Sequence, residues 1–373
     1  MRLKKDSLQG FAQRMKAEKG KIAIYGGGAI GQTVAPYWLC KYGLEEQVLC
    51  YGDADSRKQG TTVTVGGRAV PVLSPQALAE KGKGCTLLIT VSAFDAVVEA
   101  LEKIPGLEET EAYFLPVMLI ERAHALQGGG VVKTSSTPLI PKKIHYCWFS
   151  GNPIPDSLQR CIETWKEFCP DYEIVRWDES NYDISWSPYM TQAYERKKWG
   201  FVPDVARLDI LYRHGGIYLD TDVELVRSLD ELLYQPAFCG VEKWGFVNFG
   251  GLSGACRGNP VLGKMLDYRN TISFVMPDGT WNLTTCGSYE TKPLADMGFW
   301  PDNSVQELSA GALNVYSSDF FHPFDYMSGE TVRTENTFSI HHFSGTWLGE
   351  GAAEERRRTR ERYQQFLSEM ENG

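Results

Sequence analysis

Four charged side chains stand at spacings that could bring them to one charged ligand. Asp204 and Arg207 are three residues apart in a stretch whose apolar residues recur with a helical period, so both belong to one helix face. Asp220 and Asp222 follow the apolar run from Ile217 to Leu219, which predicts a strand. Side chains two apart on a strand point to the same side, about 6 to 7 Å apart, so these carboxylates could face a divalent cation that carries a diphosphate.

The elements around these residues place them at a ligand-binding edge. Pro203 suits the first turn of the helix, and Gly215 with Gly216 predicts its end, because glycine tolerates the left-handed conformation of a helix cap. The strand that follows delivers its acidic residues to its carboxyl end, where open α/β sheets bind ligands. Taken alone, an Asp-x-Asp in an acidic protein also occurs as a solvated turn, and this alternative stays open for Asp220 and Asp222.

The whole string from Val202 to Val223 closely resembles the signature of glycosyltransferase family 32. That family includes capsular-polysaccharide sugar transferases, relatives of yeast mannosyltransferases and, more distantly, the glucosylating toxins of clostridia. The resemblance implies a GT-A fold, a nucleotide-sugar donor, retention of the anomeric configuration, and a Mn²⁺ (or Mg²⁺) cofactor held by the Asp-x-Asp. Four separated motifs between residues 139 and 348 share the resemblance, which makes it more specific than any one motif.

The resemblance also assigns roles to residues of this region. Asp222 and His342 would be metal ligands, and Asp220 would bridge to the metal or to the ribose. Arg207 would stabilise the charge that develops on the departing diphosphate, and Asp204 would accept hydrogen bonds from hydroxyls of the donor sugar.

Four further residues complete the candidate substrate site. Trp148, at the end of a predicted strand, resembles the aromatic residue that stacks on uracil, and a buried core tryptophan is the alternative. Tyr218 lies in the central string, two residues before the Asp-x-Asp. Asn248 could hold sugar hydroxyls or form a turn. Trp347 resembles the tryptophan that contacts the donor diphosphate, and a capping aromatic residue is the alternative.

A glycine loop near the amino terminus forms a second candidate binding site. Gly26, Gly28 and Gly31 stand where a Gly-x-Gly-x-x-Gly nucleotide-binding loop requires glycine, and Asp53, after the next predicted strand, could accept a hydrogen bond from a ribose hydroxyl. The alternative is that the glycines serve only the packing of helix on strand, so both interpretations remain open. Pro36 is expected to kink the helix that follows the loop.

The apolar patterns divide the chain into two α/β domains. Residues 1–126 predict a half-size Rossmann-like parallel-sheet domain with an amino-terminal helix. Residues 127–138, rich in Gly, Ser and Thr, predict a flexible linker. The resemblance makes residues 139–350 a GT-A type glycosyltransferase domain. Residues 351–373 predict a basic helix that can contact an anionic membrane surface.

Composition narrows the classes of function. The net charge of -9 over 373 residues disfavours nucleic acid as a partner. No apolar run approaches the roughly 20 residues of a membrane span, and the amino terminus lacks the apolar core of a signal peptide. Nine cysteines without a Cys-x-x-Cys pair predict reduced, structural side chains. These features predict a cytoplasmic protein, which the basic helix could bring to the inner face of the cell membrane.

The patterns and the resemblance together predict a metal-dependent retaining glycosyltransferase that moves a hexose from a UDP-sugar to a hydroxyl of a surface glycan. The expected acceptor is a glycan or a lipid-linked oligosaccharide in the synthesis of capsule or lipopolysaccharide. One alternative is a nucleotide-sugar-binding sensor without turnover. The other is an NAD(P)-dependent oxidoreductase or epimerase that uses the glycine loop, although the Tyr-x-x-x-Lys from Tyr194 to Lys198 lies outside the first domain.

Overall fold

The structure of the chain is a computed structural model that describes residues 1–125, 129–345 and 351–371. The chain contains both helices and strands along its length, and both main sheets contain parallel strands. The mixed α/β class expected from the sequence is therefore confirmed.

The chain forms two compact units, each built from more than one segment. Unit 1 contains the amino-terminal region, a three-residue loop and the carboxy-terminal helix: Met1–Leu126, Met327–Gly329 and Ala353–Gly373. Unit 2 contains the remainder: Gln127–Tyr326 and Glu330–Ala352.

Unit 1 begins with seven strands and five helices. In chain order they are β1 (Arg2–Leu3), α1 (Leu8–Glu18), β2 (Ile22–Tyr25), α2 (Ala35–Lys41), β3 (Val48–Gly52), β4 (Thr62–Val65), β5 (Arg68–Leu73), α3 (Pro75–Lys81), β6 (Thr86–Ile89), α4 (Phe94–Glu102), β7 (Glu111–Phe114) and α5 (Leu115–Ala125).

The seven strands of unit 1 form one sheet in the order β1-β7-β6-β2-β3-β5-β4. Strands β2, β3, β5, β6 and β7 pair in parallel, and their order across the sheet is 3-2-1-4-5 when they are numbered along the chain. The chain therefore leaves β2 at the point where the strand order reverses, which is where sheets of this kind bind ligands. The glycine loop follows β2 directly.

A π-helical turn, Ile30–Val34, separates the glycine loop from α2. Pro36 lies in the first turn of α2, where its missing N–H is not needed. The π-helical turn runs into α2 with helical backbone angles at Val34 and Ala35, and the kink expected at Pro36 stays a prediction.

Unit 2 contains strands β8 to β17 and helices α6 to α11. They are β8 (Lys143–Cys147), α6 (Asp156–Phe168), β9 (Glu173–Trp177), α7 (Pro188–Glu195), α8 (Pro203–His214), β10 (Gly216–Tyr218), β11 (Val223–Leu225), β12 (Ala237–Val241), β13 (Val247–Asn248), β14 (Ser253–Ala255), α9 (Pro260–Arg269), α10 (Cys286–Asp296), β15 (Gln306–Leu308), β16 (Leu313–Tyr316), α11 (Ser318–Phe321) and β17 (Ser339–His341).

The main sheet of unit 2 is mixed and runs β15-β16-β12-β14-β10-β8-β9, with β13 paired to β12. Strand β10 lies inside this sheet, parallel to β8 and antiparallel to β14. A separate two-stranded sheet joins β11 to β17 in antiparallel register. Because β10 ends just before Asp220 and β11 begins just after Asp222, the acidic motif lies at the passage from one sheet to the other.

Part of the predicted linker is bonded to unit 2. The Val132 N–H donates to the Tyr316 hydroxyl at 3.0 Å, and the Thr134 N–H donates to the Tyr234 carbonyl at 2.9 Å. The Leu139 N–H donates to the Leu233 carbonyl at 2.8 Å. These bonds hold the second half of the segment, whereas residues 126–128 lie outside the described residues.

The carboxy-terminal helix α12 (Ala352–Glu371) buries its aromatic side chains within unit 1, with Tyr363 and Phe366 both under 5% exposed. On the surface of this helix, Arg357 forms ion pairs with Glu354 and Glu361. No helix among the described residues combines the length and apolar character needed to cross a membrane.

Candidate active site

Helix α8 carries the first two candidate residues on a buried part of its surface. The side chains of Asp204 and Arg207 are 7% and 3% exposed. Pro203 opens the helix, and Gly215 ends it with a φ of 66°, as the sequence predicted. Such burial of two charged groups requires that they satisfy each other or a ligand.

Arg207 is surrounded by three carboxylates from three different elements. Its guanidinium lies 3.0 Å from Asp204 Oδ1, 3.4 Å from Asp220 Oδ1 and 3.5 Å from Glu290 Oε1. Burial raises the pKa of Asp204 to about 6 and that of Glu290 to about 7, although the positive charge of Arg207 opposes both shifts. One cation therefore holds together a cluster in which burial raises the pKa of two acids, Asp204 and Glu290.

The acidic motif forms a turn instead of a continued strand. The Val223 N–H donates to the Asp220 carbonyl at 3.1 Å, which closes the turn that contains Asp222. The Asp220 carboxylate also accepts from the Tyr218 hydroxyl at 3.1 Å. The sequence predicted that Asp220 and Asp222 converge by strand alternation, and the structure brings them together through the turn.

Asp222 is bound tightly by the segment after β17. Its Oδ2 accepts from the Ser344 N–H at 2.7 Å and from the Ser344 hydroxyl at 2.9 Å, and its Oδ1 lies 3.3 Å from His341 Nε2. Burial disfavours the charge on this carboxylate, but His341 and the two bonds from Ser344 hold the pKa of Asp222 well below its usual range. Asp222 is therefore a carboxylate at any working pH.

The structure places His341, and not His342, next to the acidic motif. His341 points to Asp222, whereas His342 Nε2 lies 2.9 Å from Glu224 Oε2 and is half-exposed. The reason is strand alternation, because β17 ends at His341 and consecutive side chains point to opposite sides. The sequence prediction had placed His342 beside Asp222.

The ligand atoms of Asp220, Asp222 and His341 all lie within 4.8 Å of one another. Ligand atoms on opposite sides of one Mn²⁺ or Mg²⁺ ion lie roughly 4 to 4.5 Å apart, so small adjustments of the side chains would let this set share an ion. Two carboxylates with one imidazole form a donor set that Mn²⁺ accepts readily. His341 Nε2 faces Asp222 Oδ1 at 3.3 Å, and Nδ1 is buried with no hydrogen-bond partner among the described residues, so an ion at Nε2 would require the imidazole proton to lie on Nδ1.

A glycine segment, Phe249–Leu252, forms the wall of the site next to Asp220. A Cβ built on Gly250 would lie 2.1 Å from Asp220 Oδ2 and 2.7 Å from Arg207 Nη1, so only glycine fits there. Asn248 holds this segment, because its Oδ1 accepts from the N–H groups of Gly250 and Gly251 at 2.7 and 3.0 Å. The structure thus favours the turn-forming alternative for Asn248.

Glu290 and Thr291 of α10 support the same wall, and sequence analysis missed both. Glu290 Oε2 accepts from the Phe249 N–H at 2.8 Å, and Thr291 Oγ1 accepts from the Val247 N–H at 2.8 Å. Glu290 therefore joins the arginine cluster to the glycine segment. The signal for it in the sequence is slight, since it stands 83 positions from Arg207 with no motif around it.

The remaining substrate candidates lie at different distances from this cluster. Tyr218 is fully buried, and its ring faces the Arg207 guanidinium at 5.4 Å. Trp148 is half-buried and donates from Nε1 to the Asn152 carbonyl at 2.7 Å, so its ring is not enclosed in the core. Trp347 lies outside the described residues.

In unit 1, packing accounts for two of the three loop glycines. Gly26 has a φ of 112°, and a Cβ on Gly31 would lie 1.9 Å from the Gly26 carbonyl oxygen. Gly28 has open space instead, with only Lys58 Nζ at 4.0 Å. Asp53 is occupied within the protein, since Oδ2 accepts from the Gly27 N–H at 2.7 Å and from Lys58 Nζ at 3.0 Å.

Two family models match parts of the chain. Residues 155–239 match the family described as glycosyltransferase sugar-binding region containing DXD motif. Residues 1–115 match the family described as C-methyltransferase C-terminal domain.

Several curated proteins are similar to the chain. Inositol phosphoceramide mannosyltransferase 3 of Schizosaccharomyces pombe is 35% identical over 136 residues, which cover 35% of this chain and 37% of that protein. A mannosyl phosphorylinositol ceramide synthase of Saccharomyces cerevisiae is 34% identical over 104 residues, 27% of each chain. An uncharacterized glycosyltransferase of Acanthamoeba polyphaga mimivirus is 26% identical over 196 residues, 50% of this chain and 74% of that protein. The chain thus spans little more than a third of the length of the first of these relatives.

Among solved structures, the PaToxG glycosyltransferase aligns with 49% of this chain and 75% of its own, at 18% identity and a TM-score of 0.35. The assignment to the glycosyltransferases therefore rests on the sequence matches. Residues 155–239 match a glycosyltransferase sugar-binding region containing a DXD motif, the comparisons indicate a glycosyltransferase, and the resemblance expected from Asp220 and Asp222 is thereby confirmed.

Proposed function

We propose that the protein is a metal-dependent, retaining glycosyltransferase that moves a hexose from a UDP-sugar to a hydroxyl of a glycan or of a lipid-borne acceptor. The observation that carries the proposal is the convergence of Asp220, Asp222 and His341 beside the buried Arg207. Both aspartates and the arginine belong to the matched segment, residues 155–239, and the histidine comes later in the sequence. A carboxylate pair next to an arginine provides both a cation site and a fixed positive charge for a diphosphate.

In this proposal the chain's own residues bind and orient the donor. Arg207, fixed by Asp204 and Glu290, faces the charge that develops on the departing diphosphate, and a cation held by Asp220, Asp222 and His341 would add Lewis-acid stabilisation. Asp204 accepts hydrogen bonds from hydroxyls of the sugar. Trp148, with its ring partly exposed, stacks on the uracil.

The retaining mechanism proposed here is attack of the acceptor hydroxyl on the same face from which the diphosphate departs. The bond from the anomeric carbon to the diphosphate oxygen breaks as the new glycosidic bond forms, and the hydroxyl proton passes to a leaving phosphate oxygen. Arg207 is buried at 3% exposure, so its charge acts in a medium that screens it little.

Unit 1 is proposed to be a Rossmann-like domain that supports the enzyme without performing the transfer, and unit 2 to be a GT-A domain. The 3-2-1-4-5 order of the parallel strands supports the first assignment, and the mixed sheet with the acidic motif at the end of β10 supports the second. A nucleotide at Gly28 stays a prediction, because Asp53 is already bonded to the loop.

The relatives refine the proposed substrates. Two of them are named for transferring mannose to inositol phosphoceramide, so mannose joins the candidate hexoses and a lipid-borne hydroxyl joins the capsule and lipopolysaccharide glycans as acceptor. A cytoplasmic location remains part of the proposal, supported by the nine cysteines, all of which are free.

The test is a screen of nucleotide sugars for release of the free nucleoside diphosphate, with and without Mn²⁺. A glycosyltransferase releases UDP, or another diphosphate, only with metal and much faster with acceptor. A sensor binds the donor and releases nothing, and an oxidoreductase changes NAD(P)H absorbance with a sugar nucleotide. Either of the last two outcomes would replace the proposal.

The two adjacent histidines give a direct test of the site geometry. We expect His341→Ala to reduce metal-dependent turnover by about a hundredfold and to raise the Mn²⁺ concentration needed for half activity, because it removes one ligand. His342→Ala is the matched control and should change turnover less than about threefold, since its partner is Glu224. The opposite ranking in Mn²⁺ titrations would restore His342 as the ligand.

Glu290→Gln is expected to lower kcat/KM for the donor by about tenfold and to move the acid limb of the pH profile to lower pH. Gln keeps the acceptor for the Phe249 N–H but removes a negative charge facing Arg207. Burial raises the pKa of Glu290 to about 7 and the charge of Asp204 adds to the rise, so the variant lacks the acid of this pair that has the higher pKa.

The control for Glu290 is Thr291→Val, which removes only the bond to Val247 from the next position of α10. It should leave the acid limb of the pH profile in place. If both variants move the limb equally, Glu290 acts only through the shape of the glycine segment.

A further inference from the structure

One hairpin of unit 2 carries a concentration of exposed apolar side chains. Among the described residues, the large apolar side chains with the highest exposure are Leu139, Tyr212, Met276, Trp281, Leu283 and Trp300. Three of these, Met276, Trp281 and Leu283, are 37%, 44% and 54% exposed. All three belong to residues 272–285, which we call the apolar hairpin. Large apolar residues clustered at the surface mark an interaction site more often than scattered ones do.

The apolar hairpin is held firmly where it joins the domain. Phe274 is fully buried, and Gln192 Oε1 accepts from its N–H at 3.1 Å and from the Val275 N–H at 2.9 Å. Trp281 stacks on Phe274 with ring centroids 6.5 Å apart. Leu283 lies two positions after Trp281 on the returning arm, so both side chains emerge on the same side of it.

Cations stand beside the exposed tryptophan. Lys198 Nζ lies 5.2 Å from the centre of the Trp281 ring, and the neighbouring Lys197 is exposed. Asp278 at the tip already accepts from the N–H and the hydroxyl of Thr280. Exposed apolar side chains on both arms of the hairpin, with lysines beside the tryptophan, match the boundary between acyl chains and anionic headgroups.

The carboxy-terminal helix α12 is less suited to contact with a membrane. The apolar side chains Tyr363 and Phe366 of α12 are buried, and Arg357 and Arg358 are paired with glutamates of the same helix. A membrane contact through α12 would have to break these pairs and expose that core. The apolar hairpin needs no rearrangement.

We propose that the apolar hairpin is a membrane-docking element that inserts Met276, Trp281 and Leu283 into the interface of an anionic lipid bilayer, with Lys197 and Lys198 facing the headgroups. The hairpin runs directly into Cys286, whose Sγ lies 3.6 Å from Arg207 Nη1. Docking therefore brings the candidate active site to the lipid surface. The inference concerns binding and does not depend on the proposed catalytic function.

The experiment is flotation of the full chain with vesicles of phosphatidylcholine alone and of phosphatidylcholine with phosphatidylglycerol. We expect binding to the anionic vesicles, and the paired variant Met276→Ser with Leu283→Ser should weaken it by about tenfold or more, because two exposed apolar side chains lose their burial. Lys197→Gln with Lys198→Gln should weaken binding to anionic vesicles by about fivefold per lysine and leave binding to neutral vesicles unchanged.

Trp300→Ser is the matched control, because Trp300 is 57% exposed in a different loop. It should bind vesicles as the unchanged chain does, and thermal melting should show that every variant is folded. No vesicle binding by the unchanged chain, or an equal loss in the Trp300 control, would overturn the proposal. If the unchanged chain dimerises without lipid and the hairpin variants do not, the surface binds a second copy of the chain. If the variants lose only glycan binding, the surface binds the acceptor.

Discussion

Asp222→Asn is expected to reduce turnover at saturating donor by about a thousandfold, the largest effect of any conservative change in unit 2. Asp222 is the acid of the motif that the structure fixes most firmly, through two bonds from Ser344 and the contact with His341. An amide can still accept from Ser344, but it lacks the charge that a divalent cation requires. Stabilisation of the leaving diphosphate is worth several kcal/mol, and about 1.4 kcal/mol is tenfold in rate.

The measurement is single-turnover release of the nucleoside diphosphate over a range of Mn²⁺ concentrations. Chelation with EDTA should silence the unchanged protein and leave the residual rate of Asp222→Asn unaffected. Asp209→Asn is the control, since Asp209 is also a buried carboxylate but bonds to Tyr182 and Arg213. Full activity of folded Asp222→Asn in chelator would return the Asp-x-Asp to a structural turn.

The sequence predicted the helix and the strand that carry this site, because local sequence rules determine both elements. Proline at the first helical position, glycine at the end and apolar periodicity define α8 from Pro203 to His214 without reference to the rest of the chain. The strand β10 was also expected, within one residue at each end. The Asp-x-Asp then follows from its place after that strand.

The histidine could not be chosen from local pattern. His341 and His342 are adjacent, and which one faces Asp222 depends on where β17 ends and on its register with β11. A shift of one residue in register exchanges the two sides of a strand. The motif alone therefore identifies a pair of candidates, and only the pairing of the strands selects one.

Glu290 was unpredictable for a different reason. A buried carboxylate that bonds to both an arginine and a backbone N–H is defined by three elements that meet only in the fold. The ion pairs of Arg357 on α12 are of the opposite kind, because Glu354 and Glu361 lie three and four positions away on the same helix, a spacing that the sequence itself shows.

Arg207→Lys is expected to lower turnover by about a hundredfold while the protein stays folded. One planar guanidinium reaches Asp204, Asp220 and Glu290 at once, at 3.0, 3.4 and 3.5 Å. A lysine ammonium is a point charge that can hold one or two of these carboxylates but not the fork geometry. The control is Arg213→Lys on the same helix, because Arg213 is 58% exposed and should tolerate the change with less than about twofold loss.

Arg207→Met extends the test to stability, because it removes the positive charge altogether. Arg207 opposes the rise in the pKa values of Asp204 and Glu290, so without it both values climb further above about 6 and 7. An acid whose pKa is raised by folding stabilises the protein only while it is protonated, and that stability is lost as pH rises through the folded pKa. Melting temperature should therefore fall from pH 6 to pH 8 more steeply in Arg207→Met than in the unchanged chain. A parallel pH dependence in the two proteins would show that the arginine does not control these acids.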